Sequence, residues 1–284
     1  MPSHKEESKV RFTVPRKPFY EALTTACRAV SARSTLPILA NVAITLSDGT
    51  VRLAATDLEL GIEATCQATT AADGPAVTVP AKKVQEIVGA LPGEVLSFAA
   101  ADGRVVLSAE KAEYVLLTLP AEEFPPLPEV GDRVFLLLPA QVLARLLKRT
   151  VFAASTDDTR PTLTGVFLTV RGGEITAAAT DTHRLAVAKT MGCGGTGEGT
   201  ALLPARACEE VLRALSGLSE EGVRVQWDEN QALFSIGGTV LITRLLAGPF
   251  IKYERVIPAS FDVRWEAVTG DLYRLCTKSA SRSA

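Results

Sequence analysis

The sequence predicts an α+β fold built from two similar domains, each with two helices packed on antiparallel β-sheet. Short runs in which apolar and polar residues alternate, such as residues 166–170, indicate strands. Apolar residues at helical spacing, as in the stretch 84–91, indicate helices between the groups of strands. The same order of patterns recurs later in the chain, which indicates a duplicated domain.

The duplication is clearest where residues 37–57 align with residues 161–181 at an offset of 124, without a gap. Nine of these 21 positions are identical, and both segments end in Ala-Thr-Asp. The same offset pairs Pro80-Ala81 with Pro204-Ala205. Agreement over so many positions at one fixed offset predicts that the two Ala-Thr-Asp corners, at Asp57 and Asp181, are equivalent in the fold.

The predicted elements follow the same order in both copies. In the first copy the strands are 10–14, two strands within 37–57, then 76–79, 95–98, 105–108 and 114–118, and the helices are 17–30 and 81–91. In the second copy the strands are 134–138, 166–170, 175–179, 185–188, 223–227, 232–236 and 240–245, and the helices are 139–153 and 204–216. Arg171-Gly172-Gly173 is a hairpin turn signal, and proline starts three of the helices, where its missing N–H is harmless.

Composition shifts divide the chain into four segments. Residues 1–9 are a polar lead-in expected to be disordered, residues 10–130 form the first domain, and residues 131–258 form the second. The proline-rich run 124–128 is the linker between them, and 192–199 is a flexible loop. Residues 259–284 begin a third repeat with a few apolar residues: Phe261, Val263, Trp265, Leu272 and Leu275.

The composition favours a reduced, cytoplasmic protein without a cofactor. The 284 residues carry a net charge of −2, so the chain as a whole is not a basic nucleic-acid binder. No apolar run is long enough to cross a membrane. The five cysteines form no CxxC pair, and only two histidines are present, so no metal site is expected. Cys27 and Cys208 fall on apolar helix faces and are interpreted as small buried hydrophobes.

No motif in the chain points to catalysis. Residues 192–197 fit the GxGxxG pattern, but Gly199 and then Leu202-Leu203-Pro204 follow where a dinucleotide site needs a helix, so the run is interpreted as a flexible loop. His183 lies near Asp181, but the twin residue Asp57 has no histidine beside it. The two aspartates are therefore interpreted as turn formers whose carboxylates accept backbone N–H bonds.

Five ordered segments make the chain recognisable: Ser34–Val42, Thr56–Leu60, Ser155–Val166, Ala179–Lys189 and Gly248–Pro258. Over residues 9–264 the chain resembles the bacterial sliding clamp, the beta subunit of DNA polymerase III. The resemblance implies a DNA clamp fold and a processivity factor that encircles duplex DNA and is not an enzyme. It also implies a head-to-tail homodimeric ring of three-domain chains, of which the third domain is only begun here.

Charge and resemblance together assign a DNA-facing surface. The four predicted helices hold nine basic and four acidic residues, although the whole chain is acidic. Charge alone would fit ordinary solvated helix faces. In clamps the helices line the bore, which implies sequence-independent contact with double-stranded DNA through these residues: Arg33, Lys82, Lys83, Arg145, Lys148, Arg149, Arg206 and Arg213.

The resemblance also implies a pocket beside the second corner for short peptides of DNA polymerase, clamp loader and repair proteins. Its apolar floor would be Leu163, Leu185 and Val256. Its polar rim would be Thr180, His183 and Arg184, and Ile251 stands where the family usually has proline. Without the resemblance, His183 and Arg184 would be interpreted as an ordinary surface pair.

The ring of the family implies that Tyr114 and Leu116, on the last strand of the first domain, form the dimer edge. With the third domain only begun, the chain is expected to be monomeric or to associate heterogeneously through that edge. Two alternatives stay open: a module that binds clamp-binding peptides without forming a ring, and a duplicated α+β enzyme that uses Asp181 and His183.

Overall fold

The computed structural model describes residues 10–31, 36–72, 74–130, 134–191, 194–218 and 221–280. Its strands are β1 (Val10–Pro15), β2 (Asn41–Ser47), β3 (Thr50–Thr56), β4 (Leu60–Gln67), β5 (Thr70–Ala72), β6 (Val77–Pro80), β7 (Val95–Ala101), β8 (Arg104–Ala109), β9 (Ala112–Leu117), β10 (Val134–Pro139), β11 (Gly165–Arg171), β12 (Glu174–Thr180), β13 (Leu185–Met191), β14 (Gly194–Thr196), β15 (Gly199–Pro204), β16 (Gly222–Trp227), β17 (Gln231–Ile236) and β18 (Thr239–Arg244). Its helices are α1 (Arg16–Cys27), α2 (Ala81–Ala90), α3 (Ala140–Lys148), α4 (Ala205–Ala214) and α5 (Thr269–Ala280). None of the described helices is both long and apolar enough to span a bilayer.

Four helices begin directly from a strand that ends in proline. Pro15, Pro80, Pro139 and Pro204 each occupy the position before the first helical residue, with φ between −55° and −61°. Proline fixes φ near this value and donates no hydrogen bond, so it ends a strand and starts a helix without a loop. The spacing of these prolines keeps the offset of 124 seen in the sequence.

The strands form three antiparallel sheets. The first has the order β5-β1-β7-β8-β9, the second β14-β10-β16-β17-β18-β4-β3-β2-β6, and the third β13-β12-β11-β15. The nine-stranded sheet joins the two halves of the sequence, because β4 pairs with β18 over Thr239↔Ala64 to Thr243↔Leu60. Helices on antiparallel sheets confirm the predicted α+β class.

Two hydrophobic clusters hold the helices on the sheets. In one cluster, α1 and α2 pack together over a core in which the Phe12 and Phe98 rings stack at 4.5 Å. In the other, α3 and α4 pack together over a core that contains Trp227 and Phe234. Burial of each large apolar side chain contributes about 1.5–3 kcal/mol, so these clusters are the main stabilising contacts of the fold.

The two central hairpins pair in the same register at the predicted offset. Ala43 pairs with Ala54 in the first copy, and Phe167 pairs with Ala178 in the second. The two-residue turns also match, since Asp48-Gly49 and Gly172-Gly173 all have positive φ, between 50° and 78°. Such turns favour glycine, because it lacks a Cβ, and aspartate, because it tolerates a positive φ better than most residues. The predicted equivalence of the two hairpins is therefore confirmed.

Two elements differ from the sequence prediction. The helix predicted over 139–153 ends at Lys148, because the buried Thr150 hydroxyl donates to the carbonyl of Leu146 at 2.8 Å and a short 3₁₀ turn follows. The loop predicted over 192–199 contains β14, which pairs with β10. The pairing of β14 with β10 requires glycine at position 195. Any other residue would place its Cβ 2.2 Å from the Phe135 carbonyl oxygen.

The chain divides into two compact units, Met1–Phe250 and Ile251–Ala284. The first unit contains the domain predicted at 10–130 and residues 131–250 of the domain predicted at 131–258. The boundaries of these two domains stay a prediction. In the second unit, residues 259–268 form no strand, and Phe261, Val263 and Trp265 are about three-quarters exposed, at 73%, 76% and 67%. The third repeat predicted from these residues therefore has only the helix α5 in the described part of the unit.

Candidate functional site

The second corner, between β12 and β13, is a tight turn built on a carboxylate. Asp181 Oδ1 accepts the backbone N–H groups of His183 and Arg184, each at 3.0 Å. The Thr180 hydroxyl donates to the Arg184 carbonyl at 2.7 Å and accepts the Thr182 N–H at 3.1 Å. The backbone N–H of Arg184, as the largest cause, and that of His183 lower the pKa of Asp181 by stabilising its carboxylate. The Asp181 carboxylate therefore stabilises the turn by accepting hydrogen bonds from its backbone.

The first corner, between β3 and β4, repeats this arrangement. Asp57 Oδ1 accepts the N–H groups of Glu59 and Leu60 at 3.0 and 2.8 Å. The Thr56 hydroxyl donates to the Leu60 carbonyl at 3.0 Å and accepts the Leu58 N–H. The interpretation of both aspartates as turn formers is therefore confirmed.

The second carboxylate oxygen has a different partner in each corner. Asp181 Oδ2 binds the Arg184 side chain of its own corner at 2.9 Å. Asp57 Oδ2 forms an ion pair with Arg206, which lies on α4 in the other half of the chain. Arg206 also donates to the carbonyl of Arg28 at 3.4 Å. Arg206 was predicted to contact DNA, but its guanidinium already connects the two halves.

We expect Arg206→Gln to lower the free energy of unfolding by about 1 kcal/mol, because a half-exposed pair to a buried carboxylate is lost. Lys82 is the twin of Arg206 at the offset of 124 and is exposed, so Lys82→Gln is a matched control that should change stability by less than about 0.5 kcal/mol. Urea unfolding followed by circular dichroism measures both. Equal stability of the two variants would show that the Asp57–Arg206 ion pair does not stabilise the contact between the two halves of the chain.

The residues predicted for the peptide pocket differ in exposure. Leu163 is buried and Leu185 is half-buried, while His183 and Arg184 are exposed. Thr180, predicted on the polar rim, is only 4% exposed, because its hydroxyl is used inside the corner. It therefore shapes the corner and does not present a polar group to a ligand.

The other two predicted pocket residues, Ile251 and Val256, lie in the unit Ile251–Ala284 and are 40% and 62% exposed. One further residue, Phe152, was missed by the sequence reasoning. The Arg184 guanidinium lies 5.6 Å from the Phe152 ring centre, and this ring is 56% exposed. A cation–π contact holds the arginine over an exposed aromatic face. The sequence did contain a signal for Phe152: it is an aromatic residue that follows the leucine-rich helix α3 by a few positions.

The basic face predicted on α2 and α3 is present. Lys82, Lys83, Arg145, Lys148 and Arg149 are all exposed. On α3, the apolar residues Leu143, Leu146 and Leu147 are buried. Across the described residues, none of these five basic side chains forms an ion pair with a carboxylate. Their charges are therefore available to an anionic partner.

Two other predicted DNA contacts differ. Arg213 forms ion pairs with Glu210 and, at 3.9 Å, with Glu209 of the same helix, so its charge is locally compensated. Arg33 lies outside the described residues. The strand β9 is at the edge of its sheet, where Tyr114 is 45% exposed and Leu116 is buried at 7%. Only Tyr114 of this predicted edge pair offers its side chain to a partner.

Comparisons with family models and with known proteins all point to the same family. Residues 10–128 match the family described as DNA polymerase III beta subunit, N-terminal domain, and residues 137–252 match its central domain. The beta sliding clamp of Synechococcus elongatus is 37% identical over 85% of this chain and 66% of its own length. That of Staphylococcus epidermidis is 29% identical over 95% of this chain and 74% of its own. The matched part of the chain thus corresponds to 66% and 74% of the length of these two relatives.

Solved structures agree with the sequence matches. The DNA polymerase sliding clamp of Bacillus subtilis superposes with a TM-score of 0.85 and 29% identity, over 89% of this chain and 69% of that one. The sliding clamp of Bartonella birtlesii, solved with bound griselimycin, gives a TM-score of 0.85 and 32% identity over the same shares. The predicted resemblance and the clamp fold are confirmed by these likenesses. The chain belongs to the DNA polymerase III beta subunit family, the bacterial sliding clamps.

Proposed function

We propose that this chain acts as a DNA sliding clamp, which holds a DNA polymerase on duplex DNA and does not read the sequence. The observation that carries the proposal is the exposed basic face of α2 and α3, in a chain whose net charge is −2. Phosphates are the anions that such a face attracts, and contact through phosphates alone carries no sequence information. Membership of the clamp family supports the same function.

The chemistry of this face suits sliding. Lysine and arginine on a helix surface contact phosphates loosely or through water, so no position along the duplex is preferred. Arg145 and Lys148 lie on α3, whose opposite face is buried, so the charges stand on a rigid element. Affinity for DNA should be weak and should fall steeply with salt. Retention would come from the closed ring, and subunit association through the β9 edge is part of the proposal.

Partner capture is proposed at the second corner. Leu185 supplies an apolar floor, and Arg184 is held by Asp181 on one side and by the Phe152 ring on the other. A pre-positioned guanidinium can donate to a peptide carbonyl without losing much side-chain freedom on binding. Peptides of DNA polymerase, clamp loader and repair proteins are the proposed ligands.

We propose that the chain is not an enzyme, and that it works in the cytoplasm, where its cysteines stay reduced. A carboxylate that acts as general base near neutral pH needs a raised pKa. The pKa of Asp181 is instead lowered, first by the Arg184 N–H, which makes it a weak base. Burial raises the pKa of the Cys27 thiol to about 12, so it is a poor nucleophile at neutral pH.

The DNA proposal is tested by reversing the charge of Arg145, Lys148 and Arg149 to Glu together. We expect binding to any duplex sequence to weaken by at least about tenfold at low salt, with a shallower salt dependence, because phosphate contacts are lost. The matched control reverses Arg11, Arg104 and Arg171, three exposed strand residues, and changes net charge by the same amount. Fluorescence anisotropy with two unrelated duplexes at several salt concentrations measures the effect.

The outcomes separate the alternatives. Equal loss in the control variant, or binding that differs between the two duplexes, would contradict the assignment of the α2 and α3 face to DNA. Retention on nicked circular DNA at high salt, with release after the circle is cut, would support a ring. Peptide binding without such retention would favour the module that only binds peptides.

A further inference from the structure

The join between the two halves of the chain is made by the edges of two strands. β18 pairs antiparallel with β4, which follows the first corner, over Thr239↔Ala64 to Thr243↔Leu60. Because the domain is duplicated, each of these two strands has a counterpart in the other copy. The counterparts, β9 and β13, lie in different sheets and do not pair with each other. The structure therefore contains a second set of edges of the same two kinds.

The strand β9 corresponds to β18. The hairpins β8-β9 and β17-β18 both pair over six positions, so each residue of β9 has a counterpart in β18. Tyr114 and Val115 of β9 are 45% and 54% exposed, whereas their counterparts Leu241 and Ile242 are 1% and 6% exposed. β18 has β4 beside it, and β9 is the edge of its sheet. The exposed side chains of β9 thus lie at positions that are buried where the two halves join.

The strand β13 corresponds to β4. The hairpins β3-β4 and β12-β13 both pair over seven positions, so their residues also correspond one to one. β4 lies between β3 and β18, whereas β13 has a neighbour on one side only among the described strands and exposes Val187 and Met191.

Neither β9 nor β13 has the usual protection of a free edge. Folded proteins protect open edges with proline or with charged side chains, lysine above all, because an open edge binds another strand. Neither strand contains proline. Lys189 of β13 forms an ion pair with Glu174 of β12 at 2.9 Å, so its charge is turned to its own sheet. Both edges are therefore open to a further strand.

The join of β18 with β4 also gives the register for its two counterparts. Applied to β9 and β13, this register sets four pairs of residues opposite each other: Val115 and Leu185, Tyr114 and Ala186, Glu113 and Val187, and Ala112 and Ala188. Val240 lies opposite Glu63 in the join itself, and the corresponding pair has the same two residue types in exchanged places. None of the four pairs brings like charges together, which favours cross-strand pairing.

We propose that β9 of one copy of this chain pairs with β13 of a second copy, antiparallel and in the register of the β4–β18 join. The inference rests on the proposed function, which already includes association through β9, and it names the surface that receives this edge. The two edges are different surfaces, so a pair of copies keeps one free edge of each kind. Further copies add in the same way, and closure of this series gives the ring that the proposed function needs.

Disulfide cross-linking between two variants of the whole chain tests the register. One variant carries Glu113→Cys and the other Val187→Cys, so a bond between them cannot form within one chain. Both also carry Cys193→Ser and Cys276→Ser, and burial raises the pKa of the three remaining thiols. Residues directly opposite in paired strands have Cα atoms about 5 Å apart, within the reach of a disulfide. We expect a covalent dimer after mild oxidation of the mixture.

The matched control replaces Val187→Cys with Met191→Cys. Met191 is exposed and has the same orientation in β13, but it lies four residues out of register, about 13 Å along the strand. We expect about tenfold less dimer from this mixture, because a disulfide cannot bridge that distance. Equal yields from the two mixtures, or no dimer from the first, would overturn the proposal. Cross-linking of the Glu113→Cys chain with itself at the same yield would overturn it as well, because that result indicates symmetric pairing of two β9 edges.

A charge exchange tests the same contact without cysteines. Val187→Glu would face Glu113 of the second copy, so we expect about fivefold weaker association in sedimentation velocity. Adding Glu113→Lys to the same chain should restore association, which a merely destabilised chain would not do. No rescue would contradict the register. Loss of association with DNA binding by the α2 and α3 face intact would refute this inference alone, whereas intact association without DNA binding would refute the proposed function.

Discussion

Replacing Gly165 by alanine is expected to destabilise the protein by about 3 kcal/mol, the upper end of the range for overpacking a core. Gly165 is the first residue of β11 and pairs with Pro204 of β15. A Cβ there would lie 2.2 Å from the Leu203 carbonyl oxygen and 2.7 Å from the Leu246 side chain. The carbonyl belongs to a paired strand and cannot move without loss of its hydrogen bonds, so the hairpin has to shift as a whole.

Gly222→Ala is the matched control, because its Cβ would only contact the end of the Leu137 side chain at 3.4 Å. Both glycines lie at the start of a strand and face a proline in the neighbouring strand. Urea unfolding should therefore separate them by about 2 kcal/mol or more. If the two variants have the same stability, the close approach of Leu203 to Gly165 is not a constraint on the fold.

The position of Gly165 shows how far the sequence repeat predicts structure. Its twin in the first copy is Asn41, a buried side chain whose amide donates to the Thr78 hydroxyl at 3.2 Å. The repeat correctly predicts that both residues begin equivalent strands with the same pairing register. It does not predict which copy has room for a side chain, because that depends on how closely the Leu203 carbonyl and the Leu246 side chain approach Gly165.

The pairing of strands between the two halves of the chain could not be predicted from the sequence either. Alternation of apolar and polar residues in β4 and β18 identifies each as a strand, but the partner of a strand is not contained in its own pattern. The join between Thr243 and Leu60 spans most of the chain. The Asp57–Arg206 ion pair connects the same two halves. The sequence assigned Arg206 to DNA from the basic charge of the helices and from the family resemblance, and neither of these contains the partner of its guanidinium.

The candidate site was predictable where it depends on local chemistry. A Thr-Asp pair at the end of a strand uses its side chains to satisfy backbone groups two to four residues later, and this holds at Asp57 and Asp181. The contact of Arg184 with Phe152 depends on how a turn after α3 folds back, which local patterns do not contain. The same limit applies to Thr180, whose burial follows from its use inside the corner.

Changing Leu185 to Asp is expected to remove most of the affinity for a fluorescent clamp-binding peptide, a loss of about tenfold to a hundredfold. Leu185 is half-buried at the start of β13, next to the turn held by Asp181. An apolar anchor that buries fully against it contributes about 1.5–3 kcal/mol. An aspartate there would present an unpaired charge to the anchor and repel peptide carbonyls, since Arg184 is already paired with Asp181.

Leu117→Asp provides the control. This leucine lies on β9, is 71% exposed and is remote in sequence from the corner, and its substitution changes the net charge by the same amount. Peptide titration with both variants, with folding checked by circular dichroism, measures the effect. Asp181→Asn should reduce stability more than peptide affinity, because the Asp181 carboxylate accepts hydrogen bonds from the backbone of the turn and from the Arg184 side chain. If Leu185→Asp and the unchanged chain bind the peptide equally, the corner only turns the chain, and the peptide site has to lie where Leu185 does not contribute.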